Sequence, residues 1–236
     1  MKALIEAFTE NIEEALEIAY GIQFKAPAQP IHNIVICGMG GSGIGGKIVS
    51  QWLEKDIKLP VTLCQSYTIP SHVNENTLLI ASSYSGNTEE TLIAMKAGVK
   101  QGGNLIAISS GGDLASYCAE NNYQCVIVPG GNPPRSALAY SLVQLVKIFH
   151  DLGLAPKAKL ESLAASKTLL ENNKDEIHAL GKNMATKIGS KTPIFYTTSE
   201  YEGVSIRAKQ QFNENSKVLG WTHHIPEMNH NELVGW

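Results

Sequence analysis

Ile34-Val35-Ile36-Cys37-Gly38-Met39-Gly40-Gly41-Ser42-Gly43 is an apolar run that breaks directly into a glycine-rich turn. Four consecutive apolar residues bounded by such a turn read as a buried strand. The helical spacing that follows reads as a helix over 43–54. The pattern recurs downstream, where Leu78-Leu79-Ile80-Ala81 runs into Ser82-Ser83-Tyr84-Ser85-Gly86-Asn87-Thr88 and then into a helix over 88–101. A strand that ends where a helix begins presents unpaired N–H groups and the positive end of a helix dipole. Glycine lets the backbone approach closely, and hydroxyls add neutral donors. Both turns therefore suit an anion, and phosphate is the anion that helix N-termini most often hold.

Working outward, strands alternate with helices. Strands are expected over 33–37, 61–64, 77–81, 104–108 and 124–128, with helices over 113–121 and 135–152. Such alternation implies parallel strands joined by crossovers and covered on both faces, an α/β doubly wound sheet flanked by helices. An amphipathic helix over 3–20 precedes it, followed by a proline-broken linker from Lys25 to Pro30. The segment Asp151 to Ala158 marks a boundary, giving domains over 1–153 and 154–236. The second begins with helices over 159–171 and 174–188, then a strand over 193–197 and a helix over 201–213. It is expected to be an incomplete copy of the first architecture, because only about two strands are available to its sheet and small isolated sheets are marginal.

Bulk properties exclude several classes. The formal net charge is −3, and no basic helix-turn-helix precedes the first sheet, so nucleic acid is not an expected partner. No apolar stretch reaches the roughly 18 residues a membrane helix needs. The first residues carry glutamates and no apolar h-region, unlike a signal peptide. Cys37, Cys64, Cys118 and Cys125 form no CxxC pair and read as core residues of a reducing, cytoplasmic compartment. No His-x-x-x-His or Cys/His cluster suggests a metal. The second strand ends in Gln65 and Ser66 rather than an acid, which argues against a dinucleotide.

Three further segments carry candidate chemistry. Ser83, Ser85 and Thr88 place three hydroxyls within six residues, and the same groups could instead cap the following helix. Pro129-Gly130-Gly131-Asn132-Pro133-Pro134-Arg135 sets one of only two arginines at an expected helix start, where the dipole disfavours it. Stabilising negative charge on a substrate oxygen would account for that placement. Glu214, at an expected helix end, and His230, in an Asn-His-Asn segment, could divide base and acid work. His223 and His224 lie close enough in sequence to be confused with His230.

Taken together, these segments resemble the sugar isomerase (SIS) superfamily, and most closely the bifunctional phosphoglucose/phosphomannose isomerases of archaea and bacteria. The resemblance rests on GMGGSGIGG at 38–46, SYSGNTEET at 83–91, PGGNPPRSALAY at 129–140, NENSK at 213–217 and PEMNHNELVGW at 226–236. The first two occur in any SIS domain, and the last three in this order are more specific. The resemblance implies an aldose–ketose isomerase joining fructose 6-phosphate to glucose 6-phosphate and mannose 6-phosphate through a cis-enediol, as in glycolysis and gluconeogenesis. It implies that Gly41 and Ser42 lie against the phosphate while Ser83, Ser85 and Thr88 hold its oxygens. Arg135 would stabilise the enediolate, Glu214 would move the proton between C1 and C2, and His230 would open the sugar ring, donated across a homodimer. No cofactor is implied. Family chains continue further and carry a C-terminal lysine that assists ring opening, so this chain is expected to be truncated at its C-terminus. The competing expectation is a SIS module that binds a sugar phosphate without turning it over, a role needing neither Glu214 nor His230.

Overall fold

A computed structural model describes residues 1–236. The chain separates into two compact units, Lys2–Ala164 and Ala165–Trp236.

The first unit opens with α1 (Lys2–Glu6) and α2 (Phe8–Tyr20), two helices where the periodicity suggested one. It continues through β1 (Asn33–Cys37), α3 (Gly40–Trp52), β2 (Val61–Cys64), β3 (Thr77–Ser82), α4 (Glu89–Lys100), β4 (Asn104–Ser109), α5 (Gly112–Glu120), β5 (Gln124–Ile127) and α6 (Leu138–Asp151). The five strands form one sheet in the order β2-β1-β3-β4-β5, and every pairing is parallel. All six residues of the central β3 are buried, as expected of a strand covered on both faces. Pleating divides the apolar runs between two layers. Val35, Leu79, Ala81, Leu105 and Ala107 pack with Ala94 and Met95 of α4 and with Leu114 and Cys118 of α5. On the opposite face α3 comes so close that a Cβ on Gly46 would meet Ile36 Cγ2 at 3.0 Å. All four cysteines are free thiols, and Cys37 and Cys64 are register partners on adjacent strands.

The order 2-1-3-4-5 has one consequence for the site. From β1 the chain steps outward to β2, then returns to lay β3 on the other side of β1. The carboxyl ends of β1 and β3 therefore flank the topological switch point, where open α/β sheets bind ligands. The glycine turn leaves β1 there and the serine turn leaves β3, from register partners Cys37 and Ala81.

The linker between α2 and β1 is an ordered strap. Phe24 is buried, and its N–H donates to Asp151 Oδ2 at 2.9 Å. Lys25 exchanges two hydrogen bonds with the Gln124 side chain, at 2.7 and 2.8 Å.

The second unit begins within α7 (Ala158–Asn172) and continues through α8 (Lys174–Ile188), β6 (Ile194–Thr198), α9 (Glu202–Gln211) and β7 (Trp221–Ile225). The strands β6 and β7 form a two-stranded parallel sheet. The helix expected over 201–213 is three pieces: a 3-10 turn at Ser199–Tyr201, α9, and a π-helical turn at Phe212–Ser216. No helix of the chain is long and apolar enough to cross a membrane.

Candidate active site

The glycine turn is itself the first turn of α3, which starts at Gly40 rather than at 43. Met39, its N-cap, is extended and supplies no side-chain cap, so the Gly40 and Gly41 amides stand at an uncapped N-terminus. Close packing explains the glycines. A Cβ on Gly43 would lie 2.4 Å from the Gly38 carbonyl oxygen.

The serine turn behaves similarly. Thr88 is the N-cap of α4, yet neither it nor Ser85 caps the helix. The Ser83 hydroxyl, buried, instead donates to Thr88 Oγ1 at 2.9 Å, which leaves the Thr88 proton able to point outward. Ser85 is exposed, and its Oγ accepts the Asn87 N–H at 3.3 Å. The Ser42 hydroxyl accepts the Tyr84 N–H at 3.1 Å, so its proton too is available to an anion. This bond joins the glycine turn to the serine turn. Gly86 has φ +72°, and a Cβ there would fall 1.8 Å from the Gly111 carbonyl oxygen. Only glycine closes this turn against the loop after β4.

A small recess opens beside these turns, lined by Gly41, Ser42, Ser82, Tyr84, Pro134 and Tyr140 among others. Arg135 is adjacent to Pro134 and half-buried. It does not open a helix as the sequence suggested. It sits in a 3-10 turn, Pro134–Ser136, ahead of α6, because Pro133 and Pro134 hold the backbone extended and then tightly turned before α-helical geometry can begin. Arg135 therefore lies just ahead of α6 rather than in its first turn.

In the second unit, Glu214 lies within the π-helical turn, exposed, and not at an α-helix end. The turn closes on Lys217 in the left-handed conformation, φ 58°, with Lys217 Nζ donating to the Glu214 carbonyl oxygen at 2.6 Å. π-Helical turns often mark functional positions. The buried guanidinium of Arg207 interacts with the Glu214 carboxylate, which opposes the lowering that burial imposes on the arginine. His230 is exposed at the end of a 3-10 turn, Glu227–His230, whose Met228 is buried.

Sequence reasoning missed β7 and the polar network it carries. His223 Nδ1–H donates to Glu232 Oε1 at 2.5 Å, Tyr196 OH donates to Glu232 Oε2, and Trp236 Nε1–H donates to Tyr196 OH at 3.1 Å. The β-branched and aromatic run Trp221-Thr222-His223-His224-Ile225, bounded by Gly220 and Pro226, was the signal available. The Tyr196 hydrogen bond, then that of His223, holds the Glu232 carboxyl below its ordinary range. A depressed folded-state value stabilises the fold above the unfolded value, about 4.3 for glutamate, and the contribution is lost as pH falls through the folded value. Urea unfolding at pH 7 and at about pH 3 should show Glu232→Gln destabilised relative to the parent at pH 7 and the gap narrowed in acid.

These features define a doubly wound α/β protein, a parallel sheet that offers two helix N-termini to an anion at one switch point. The same fold occurs in the C-terminal domain of glucosamine-fructose-6-phosphate aminotransferase from Francisella tularensis, at TM-score 0.74 and 14% identity, covering 98% of this chain and 72% of that one. Residues 164–236 match the family model for the bacterial phospho-glucose isomerase C-terminal SIS domain. A bifunctional phosphoglucose/phosphomannose isomerase from Caldicellulosiruptor bescii is 37% identical over 233 residues, 96% of this chain and 69% of the relative. A protein of the same name from Thermoplasma acidophilum is 41% identical over 204 residues, 86% of this chain and 61% of the relative. The chain belongs to the bifunctional phosphoglucose/phosphomannose isomerase family. It spans 69% and 61% of the lengths of these two relatives.

Proposed function

We propose that the chain carries the isomerase chemistry of its family, interconverting fructose 6-phosphate with glucose 6-phosphate and mannose 6-phosphate. The observation that carries this reading is the pair of uncapped helix N-termini, α3 and α4, leaving adjacent strands at the switch point and joined by the Tyr84 N–H to Ser42 bond. That arrangement suits a phosphate dianion, with Gly41, Ser42, Ser85 and Thr88 donating and Ser83 orienting Thr88.

The remaining roles follow from the chemistry. Glu214 removes the proton from C2 of the open-chain aldose and returns it to C1. The electron pair released moves toward the carbonyl oxygen, the resulting enediolate carries negative charge, and a proton passes from O2 to O1 as the C2 carbonyl forms. Arg135, permanently cationic, stabilises that charge. His230 moves the proton that opens the ring. Returning the proton to either face of C2 yields the glucose or the mannose epimer. Only protons move, so the reaction calls for no redox cofactor, and Arg135 supplies the positive charge the enediolate needs. We place the protein in the cytoplasm as a homodimer, with His230 serving the neighbouring subunit.

The test supplies fructose 6-phosphate to the chain and follows both aldose 6-phosphates with time. Formation of both supports the reading. Binding of fructose 6-phosphate with no product makes the chain a sugar-phosphate-binding module instead.

A further inference from the structure

One residue outside the assigned set joins three loops of the first unit. Tyr84 donates its main-chain N–H to Ser42 Oγ at 3.1 Å, in the first turn of α3. Its carbonyl oxygen accepts from Ser110 N at 2.9 Å and from Ser110 Oγ at 2.6 Å, in the loop after β4. Its hydroxyl donates to the Pro129 carbonyl oxygen at 2.7 Å and accepts the Asn132 N–H at 3.3 Å, in the loop after β5.

The last two bonds bracket Gly130-Gly131. Gly131 has φ +88°, a region open to glycine, and two successive glycines give the loop more conformational freedom than any other pair. The hydroxyl fixes the chain immediately before and immediately after them. Beyond Asn132, Pro133 is held at φ −59° and Pro134 begins the 3-10 turn, so little freedom remains before Arg135. The position of the Tyr84 hydroxyl is thus passed to the arginine by a chain with few soft torsions. At its other end Tyr84 is bonded to Ser42, in the phosphate turn.

We propose that Tyr84 is a positioning residue that sets Arg135 relative to the phosphate turns, its hydroxyl acting as the clamp on the intervening diglycine. The proposal rests on the isomerase reading for the role of Arg135, but not for the clamp itself. The ring would stay in place in Tyr84→Phe, with only the two hydroxyl bonds removed.

Tyr84→Phe in the full chain should lower kcat about tenfold and change KM for fructose 6-phosphate less than about threefold, since small misplacement of a charge-stabilising group costs rate more than binding. In an Arg135→Ala background the same change should cost less than about twofold, because the residue it positions is gone. Amide hydrogen exchange at Gly130, Gly131, Asn132 and Arg135 should accelerate in Tyr84→Phe, while the strands of the sheet keep their protection. A tenfold loss repeated in the Arg135→Ala background would show general loosening and overturn the proposal. So would unchanged exchange at those four amides. The exchange measurement reads the clamp whether or not the chain turns over, so a parent chain that makes no product defeats the isomerase reading without deciding the clamp.

Discussion

Glu214→Gln is expected to lower kcat for aldose–ketose interconversion by roughly 10²–10⁴-fold, the contribution typical of a positioned general base. The amide keeps the shape of the carboxylate and cannot take the C2 proton. KM should change little, because phosphate binding is assigned to groups on α3 and α4 rather than to the π-helical turn. Initial rates with fructose 6-phosphate, read by appearance of glucose 6-phosphate, measure this. Turnover near the parent rate would remove Glu214 from the reaction. The buried Arg207 guanidinium loses the Glu214 charge facing it, so urea midpoints accompany the rates, but main-chain and packing contacts should keep the turn itself in place. Lys217 Nζ bonds the Glu214 carbonyl rather than its carboxylate, and Phe212 packs on Phe195 with ring centroids 5.3 Å apart.

Asp151→Asn should destabilise the chain by about 3–5 kcal/mol, the usual loss when one member of a buried ion pair is removed. Asp151 Oδ1 lies 2.6 Å from Lys147 Nζ one turn away on α6, and the two side chains are only 2% and 9% exposed. Its other oxygen accepts the Phe24 N–H that pins the strap between α2 and β1. Neutralising the carboxylate removes the counter-charge from a Lys147 side chain that is almost wholly out of water. Urea midpoints at constant m-value report the loss. The double change Lys147→Met with Asp151→Leu should recover part of it, because no charge is then buried. It should stop short of the parent, because leucine gives the Phe24 N–H no acceptor, a deficit of about 1–3 kcal/mol.

Legibility in the sequence followed the range of the forces involved. Strand β1 and the glycine turn were readable because an apolar run and a turn are local, and α8 spans the residues its periodicity marked, 174–188. The α/β class followed from alternation alone. The strand order did not, since local pattern says nothing of which side β3 takes beside β1, yet that order brings the two turns together. Local reasoning misplaced Arg135 because two prolines delay a helix by a turn, and Glu214 because a π-helical turn continues the apparent periodicity of α9. The strap at Phe24 read as a linker since its partners, Asp151 and Gln124, lie 127 and 99 residues away. Tyr84 passed as one more residue in a hydroxyl-rich turn because its importance lies in bonds to residues up to 48 positions distant.

Movement of a proton between C1 and C2 of a sugar phosphate is the step on which the proposed activity stands. The most direct measurement is proton NMR of the chain with fructose 6-phosphate in deuterated water. Deuterium is expected to enter C1 of the ketose, with glucose 6-phosphate and mannose 6-phosphate accumulating and both processes lost in Glu214→Gln. A folded sample that binds fructose 6-phosphate yet produces neither exchange nor aldose would contradict it.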